Sequence, residues 1–243
     1  MTAFLGQLRA ELVLTARRGE TLLLVLGIPV LLLVFFSTVD VLPKPAGVVH
    51  AVDFLAPGVL ALAVLSTGMV QTAIGTAFER QYGVLKRLGV TPLGRPRLLA
   101  AKLVCIVLVE LVQVVVLVAV ALLLGWDPSF SAGAAVAGVV LGTAAFGGLG
   151  LLIAGRLRGE TTLAAANGLY LVLLLLGGMV FPLSKLPTVL RGVSYALPAS
   201  GLSDVLSAAS VGASAPGRAW LVLGLWAVSA PTAAALTFRW ESN

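Results

Sequence analysis

The chain has 243 residues, of which 59% are hydrophobic and 11% are charged, and its formal net charge is +6. Soluble domains are nearer half apolar and a quarter charged, so this composition excludes an ordinary soluble protein. The apolar residues form six runs, each close to the roughly 20 residues that a helix needs to cross a bilayer. They do not alternate with polar residues as the strands of a barrel do. We therefore predict an all-α polytopic membrane protein in which residues 1–243 form a single transmembrane domain.

The first predicted element is an amphipathic helix within residues 1–19. Phe4, Leu5, Leu8 and Leu12 fall on one side of a helical wheel, and charged residues lie between them. A helix that lies along the membrane interface has this pattern. A weakly ordered tail is the alternative interpretation.

Six transmembrane helices are predicted to follow, with approximate bounds of 21–39, 54–78, 98–124, 132–154, 163–181 and 220–238. If the N-terminus is cytoplasmic, the segments on that side hold 12 of the 16 Lys and Arg residues. Such an excess marks cytoplasmic segments, so both termini are predicted to be cytoplasmic in an inner or plasma membrane. The cations lie at helix ends, which favours contact with membrane lipid and argues against nucleic-acid binding.

Residues 79–97 form a polar interruption between the second and third spans and hold a glutamate and five cations. In a helix over 80–89, Tyr82, Leu85 and Leu88 would share one face. Thr91-Pro92 would end that helix, because a residue before proline is disfavoured in helical geometry. Anchoring to anionic lipid would explain the positive charge but not Glu79 or the tyrosine-leucine face. The segment is therefore predicted to be a cytoplasmic contact for a partner.

Residues 182–219, here called the proline segment, are neither a full span nor a polar loop. Pro182, Pro187 and Pro198 divide this segment into apolar pieces of about half a membrane crossing. Re-entrant or interfacial half-helices on the extracytoplasmic side have this length. A long flexible loop is the alternative interpretation.

The sequence holds little that could carry catalysis. It has no phosphate-binding loop of the G-x-x-x-x-G-K-S/T type. Its only histidine is His50 and its only cysteine is Cys105, which together cannot build the usual zinc sites. No serine is accompanied by a base and an acid of the Ser-His-Asp kind. We therefore predict a protein that is not an enzyme and has no catalytic residue, metal site or cofactor in this chain.

Four polar residues inside the predicted spans are candidates for a substrate path. Glu110 is the one acidic residue deep within a span, and Gln113 lies on the same helix face. Because an ionisable group at that depth is costly, Glu110 is either a cation or proton site, or part of a polar patch, or a structural hydrogen-bonding group. Gln71 and Asn167 are the other two, and such residues also commonly link helices.

Motifs in the 79–97 segment and the proline segment resemble those of a known family. The first segment holds Glu79-Arg80, Gly83-Val84-Leu85, Leu88 and Val90-Thr91-Pro92, with Lys102 downstream. The second region holds Gly178, Phe181-Pro182-Leu183, Leu186-Pro187 and Leu197-Pro198. With six spans and an N-terminal interfacial helix, the whole chain resembles the permeases of type-2 ABC transporters. It departs mildly at 83–85, where the family often has Gly-Thr-Leu.

The resemblance implies a permease that is energised by a partner. Two permeases would pair, as a homodimer or with a paralogue. Two copies of an ABC ATP-binding subunit, which binds ATP and Mg, would attach to them. The residues implied in contacting or positioning that subunit are Glu79, Arg80, Tyr82, Gly83, Leu85, Lys86, Arg87 and Leu88. Those implied at an outer gate are Phe181, Pro182, Pro187 and Pro198.

The implied activity is ATP-driven export of a hydrophobic or amphipathic small molecule, such as a drug, an antibiotic or a lipid-like compound, and hence a part in antibiotic resistance. The apolar spans and an aromatic content of 7% favour this substrate class over a polysaccharide or cell-wall glycopolymer. Outside the family, the alternatives are an ion-coupled secondary transporter that uses Glu110, and a structural or signalling membrane protein.

Overall fold

The computed structural model describes residues 2–17, 19–39, 50–85 and 95–239, and all regular structure within these ranges is helical. The elements in chain order are α1 Thr2–Arg17, α2 Gly19–Thr38, α3 Ala51–Leu65, a π-helical segment Ser66–Gln71, α4 Thr72–Gln81, α5 Arg95–Leu123, α6 Ala132–Ala154, α7 Gly159–Leu176, a 3-10 helix Leu183–Lys185, α8 Thr188–Ser194, α9 Pro198–Ser210 and α10 Gly217–Thr237. The predicted all-α class is confirmed.

Five helical stretches among the described residues are long and apolar enough to cross a membrane: Ala51–Gln81, Ala101–Leu123, Ala132–Ala154, Gly159–Leu176 and Gly217–Thr237. They correspond to the last five predicted spans. The first predicted span forms α2, whose apolar part Val25–Thr38 is shorter than the other five stretches. A membrane crossing by α2, which would be the sixth, therefore stays a prediction.

The fifth predicted span differs from its helix at both ends. Hydropathy placed this span at 163–181, whereas α7 runs from Gly159 to Leu176. The helix begins earlier because its first turn contains polar residues, which a hydropathy pattern leaves out. It ends earlier because two glycines follow it, and Gly178 has φ +72°, a backbone conformation that glycine adopts without strain.

Helix α3 forms the centre of the bundle. Its side chains from Leu55 to Leu65 are all buried, and α3 packs against α2, α5, α6 and α9. A helix that is apolar on every side is expected at such a buried position. Helices α5 and α10, in contrast, expose apolar side chains such as Leu111 and Leu225, which a face in contact with lipid would do.

The proline segment holds three short helical pieces rather than an extended loop. Proline occupies the first turn of α9, where its missing N–H leaves no hydrogen bond unmade. Most side chains of α9 are buried, and this helix packs against α3, α6 and α10. Helix α1 packs mainly against α5. Whether α9 enters the membrane and α1 lies along the interface remain predictions.

Candidate functional site

Helix α4 carries the second span directly into the 79–97 segment and ends at Gln81. The backbone amides of Tyr82 and Gly83 donate to the carbonyls of Phe78 and Arg80, at 2.9 and 3.1 Å. Gly83 has φ +68°, the left-handed conformation that commonly follows a helix end. The predicted continuous helix over 80–89 is therefore wrong, since it breaks at 82–83.

The candidate ATPase-binding residues in the described part of this segment are partly exposed and partly buried. Tyr82 is 68% exposed, and its ring stacks on Phe78 with centroids 6.0 Å apart. Arg80 is only 4% exposed, and Leu85 is fully buried. Arg80 and Leu85 thus pack within this chain, while Tyr82 offers a surface. Lys86, Arg87 and Leu88 lie outside the described residues, and contact with a partner stays a prediction for the whole set.

Glu79 belongs to an ionic cluster that joins three helices. The Nζ atom of Lys102, on α5, lies 2.6 Å from Oε1 of Glu79 and 3.5 Å from Oε2 of Glu11, on α1. All three side chains are mostly buried, and the second oxygen of Glu79 has no hydrogen-bond partner among the described residues. The cluster fixes the start of the 79–97 segment to α1 and α5.

Arg80 points to a different part of the chain. Its Nη1 atom donates to the backbone carbonyl of Gly155 at 2.6 Å and to that of Arg239 at 3.2 Å, and its Nη2 atom donates to the carbonyl of Leu157. Next to it, Oε1 of Gln81 accepts a 2.9 Å hydrogen bond from the amide of Gly159. Residues 80–81 are therefore bonded to the α6–α7 turn and to the chain that follows α10.

Glu110 and Gln113, the candidate substrate-path residues on α5, lie in a buried cluster at the π-helical segment. Oε2 of Glu110 accepts a 2.5 Å hydrogen bond from the Thr143 hydroxyl on α6. Oε1 of Glu110 is buried and has no partner among the described residues. Gln113 accepts a 2.9 Å hydrogen bond from the hydroxyl of Thr67, which lies in the π-helical segment. The predicted shared face of Glu110 and Gln113 is the buried face of α5.

Gln113 also compensates for a proline in α2. Its Nε2 atom donates to the backbone carbonyl of Val25 at 2.8 Å. In a regular helix that carbonyl would accept a hydrogen bond from the residue four positions later, which is Pro29 and has no N–H. The Gln113 side chain supplies the missing donor, so a structural role accounts for this residue.

A cavity of about 170 Å³ lies between α2, the α3–π-helical region and α7. Its lining residues are Ile28, Pro29, Leu62, Ser66, Val70, Asn167 and Tyr170. The cavity thus combines an apolar wall with three polar side chains. Of the four candidate substrate-path residues, Asn167 lines it, Gln71 directly follows a lining residue, and the other two belong to the separate buried cluster.

The four candidate gate residues of the proline segment occupy different environments. Phe181 is 39% exposed. Pro182 and Pro187 immediately precede the 3-10 helix and α8, and Pro198 is buried in the first turn of α9. A gating role for them stays a prediction.

Two arginines that the sequence did not single out hold the proline segment together. The guanidinium group of Arg191 donates to the carbonyls of Leu183, Ser184 and Leu186 at 2.8–3.2 Å. Arg218 forms an ion pair with Asp204, which lies on α9, and stands 4.0 Å from the centroid of the Tyr195 ring. Burial raises the pKa of the Asp204 carboxyl, and Arg218 acts in the opposite direction. The signal available in the sequence was the presence of cations among the prolines.

Comparison with known proteins gave one family. The model of a family described as ABC-2 type transporter matches residues 2–209, which is most of the chain. No curated protein matches the chain.

Proposed function

The chain belongs to the ABC-2 type transporter family, and we propose from this premise that it exports a hydrophobic or amphipathic small molecule in a process energised by a separate ATP-binding subunit. It is a transmembrane permease, and the family associates with an ABC ATP-binding subunit. The chain has no phosphate-binding loop of its own. ATP and Mg would therefore be bound by the partner.

The exposed part of the 79–97 segment supports this mode of energisation. Tyr82 is 68% and Val84 is 37% exposed, directly beside side chains that are fixed within the bundle. An exposed aromatic residue on a rigid base is a common kind of anchor at protein interfaces. We expect the ATP-binding subunit to contact this surface, and Arg80 and Leu85 to position it.

The observation that carries the substrate class is the cavity between α2, the α3–π-helical region and α7. An apolar wall with a few polar groups is typical of sites for small organic ligands. Its volume of about 170 Å³ is below the 300–1,000 Å³ that is usual for drug-sized ligands. A ligand of that size would extend beyond this chain, which fits a site completed by a second permease copy or by lipid.

The assembly and location follow from the same proposal. Two permeases, identical or paralogous, would associate with two ATP-binding subunits in the cell membrane, with the permease termini in the cytoplasm. Drugs, antibiotics and lipid-like compounds are the expected substrates, and resistance to an antibiotic is the expected phenotype. The small size of the cavity and its apolar wall favour these compounds over a polysaccharide or cell-wall glycopolymer.

Filling the cavity tests the substrate class. We expect Asn167→Trp to abolish ATP-dependent export of lipophilic fluorescent dyes from membrane vesicles, because the larger side chain occupies the cavity. Val172→Trp, at an exposed position of the same helix that does not line the cavity, is the matched control and should export normally. Equal export by both variants would show that this cavity does not bind the substrate.

A further inference from the structure

Arg80 is buried, yet it has no acidic partner among the described residues; its hydrogen bonds go to backbone carbonyls of two distant parts of the chain. We propose that Arg80 is a positioning residue that transmits movement of the 79–97 segment to the α6–α7 turn and to the end of α10. This inference rests on the proposed function, in which an ATP-binding subunit moves that segment.

The three acceptors lie at or just beyond the ends of two transmembrane helices. Gly155 caps the C-terminus of α6, and Leu157 follows it in the same turn. Arg239 follows the residue that caps α10. The C-terminal end of a helix carries a partial negative charge on its free carbonyls, so a cation there is stabilised without a carboxylate. One guanidinium group thus donates hydrogen bonds at the ends of two helices.

Two of the residues that accept hydrogen bonds from Arg80 are also hydrogen-bonded to each other. The amide of Arg239 donates to the carbonyl of Gly155 at 3.1 Å, so that carbonyl receives both Arg80 and the chain that follows α10. A movement of Arg80 would therefore shift the α6–α7 turn and the end of α10 together. The planar guanidinium group is suited to this role because its donors are fixed in direction relative to one another.

Close packing restricts movement between residues 78–81 and the α6–α7 turn. A Cβ atom at Gly159 would lie 2.3 Å from Oε1 of Gln81 and 3.0 Å from the ring of Phe78. A Cβ atom at Gly155 would lie 2.7 Å from the ring of Phe238. Since a packed contact passes on a displacement instead of absorbing it, residues 78–81 and the α6–α7 turn are expected to move as one unit.

Glu79, the residue before Arg80, contacts a different group of helices. Glu79 contacts Lys102, and through it α1 and α5, whereas Arg80 contacts the turn between α6 and α7. Two consecutive residues of α4 therefore connect the 79–97 segment to two separate groups of helices. Removal of Arg80 should affect only the second group, which separates a transmitting role from a general loss of structure.

The test is hydrogen–deuterium exchange on the purified permease–ATPase complex, with and without ATP plus vanadate. In the unmodified protein, trapping the nucleotide is expected to change exchange in residues 79–85 and in residues 155–159. In Arg80→Gln, the change at 79–85 should remain, and the change at 155–159 should fall by about fivefold or more, the lower end of ordinary coupling between sites.

Arg80→Lys and Gly168→Ala complete the experiment. Lysine keeps the charge but replaces the planar fork by a single ammonium group, so an intermediate response is expected. Gly168 lies on α7, where an added Cβ would meet no group of the described residues within 4 Å apart from its own stretch of helix. Its alanine variant should respond like the unmodified protein.

An unchanged response at 155–159 in Arg80→Gln would overturn the proposal and leave the proposed function intact. Loss of complex assembly in both Arg80 variants would also overturn it, since Arg80 would then be required for folding or assembly. Failure of any ATP-binding subunit to co-purify with the unmodified protein would instead contradict the proposed function, and the proposal with it.

Discussion

At Lys102, one ammonium group forms ion pairs with two carboxylates from different helices. The Lys102 side chain is 11% exposed, and those of Glu79 and Glu11 are 21% and 14% exposed. Pairs at the surface contribute little to stability, whereas removal of one member of a buried pair is strongly destabilising. This cluster lies between those limits and connects the 79–97 segment to α1.

We expect Lys102→Gln to lower the free energy of unfolding by about 1–3 kcal/mol, because Glu79 and Glu11 lose their common cation. Thermal unfolding in detergent measures the change. Lys185→Gln, at an exposed position of the 3-10 helix, is the control and should be neutral. A neutral Lys102→Gln would mean that the cluster adds nothing to stability.

Glu110 and Gln113 are buried side by side, but they differ in how fully their polar atoms are bonded. One oxygen of Glu110 has no partner among the described residues, while both polar atoms of Gln113 are bonded. Burial of an unbonded polar atom costs free energy, and a carboxylate costs more than an amide. The two residues should therefore respond differently to substitution.

We expect Glu110→Gln to leave stability unchanged or to raise it, because a neutral amide is less costly to bury. Gln113→Leu should lower stability by about 1–3 kcal/mol, since Thr67 loses its partner and the Val25 carbonyl loses its donor. The measurement is again thermal unfolding. A marked loss of stability in Glu110→Gln would contradict this account of the cluster.

The Glu110→Gln variant also tests the alternative that the protein is an ion-coupled transporter. That alternative requires a carboxyl group at Glu110 as the ion site, whereas ATP-driven transport does not. Dye transport by Glu110→Gln that persists with ATP argues against ion coupling. Transport by the unmodified chain alone that follows an ion gradient and disappears in Glu110→Gln would support it.

The sequence could predict where polar residues lie along a helix but not which groups they meet. Three-residue spacing placed Glu110 and Gln113 on one face of α5, and both are buried there. Thr143 and the Val25 carbonyl come from other helices, so their contacts depend on tertiary packing. The family resemblance implied that Arg80 contacts or positions a partner subunit, and nothing in the sequence pattern indicated that its side chain is buried. Its burial depends on carbonyls that lie 75 and more residues away in sequence.

Among the helices, α6 shows most clearly why glycine is frequent in this chain. An added Cβ at Gly148 would lie 2.4 Å from the backbone nitrogen of Pro231, on α10. The closeness of the two backbones requires a residue without a side chain. At Gly133, near the start of the same helix, an added Cβ would meet no group of the described residues within 4 Å apart from its own stretch of helix.

We expect Gly148→Ala to destabilise the protein by about 1–3 kcal/mol, because the added methyl group forces α6 and α10 apart. Gly133→Ala should be neutral or stabilising, since alanine favours the helix and nothing obstructs it. Comparing the two variants in one unfolding assay removes the general effect of alanine in a helix. Equal stability would mean that α6 and α10 do not pack this closely.

Hydropathy was a good guide to the existence of helices and a poor guide to their ends and irregularities. The last five predicted spans correspond to helices, because a run of about 20 apolar residues is a strong signal. The start of α7 was missed because its first turn is polar. The π-helical segment Ser66–Gln71 was missed because it leaves no mark on the hydropathy pattern. The proline segment holds short helices, while their re-entrant character and their position on the outer side stay predictions.

For the whole molecule, the sequence motifs and the family match agree on a permease of the ABC-2 type. The family could be predicted from the sequence because two motifs and the span pattern cover most of the chain. Pairing of two permeases could not be derived, since a dimer interface and a lipid-facing surface are both apolar. The cavity between α2 and α7 could not be derived either, because its walls come from three separate parts of the chain.

The most direct test of the central claim is purification of the chain from native membranes, with identification of the proteins that remain bound and measurement of their ATP hydrolysis. The account predicts an ATP-binding subunit with a phosphate-binding loop, at one copy per permease, and weaker association when Tyr82 is changed to alanine. A chain that purifies without an ATPase and transports in liposomes on an ion gradient alone would contradict it.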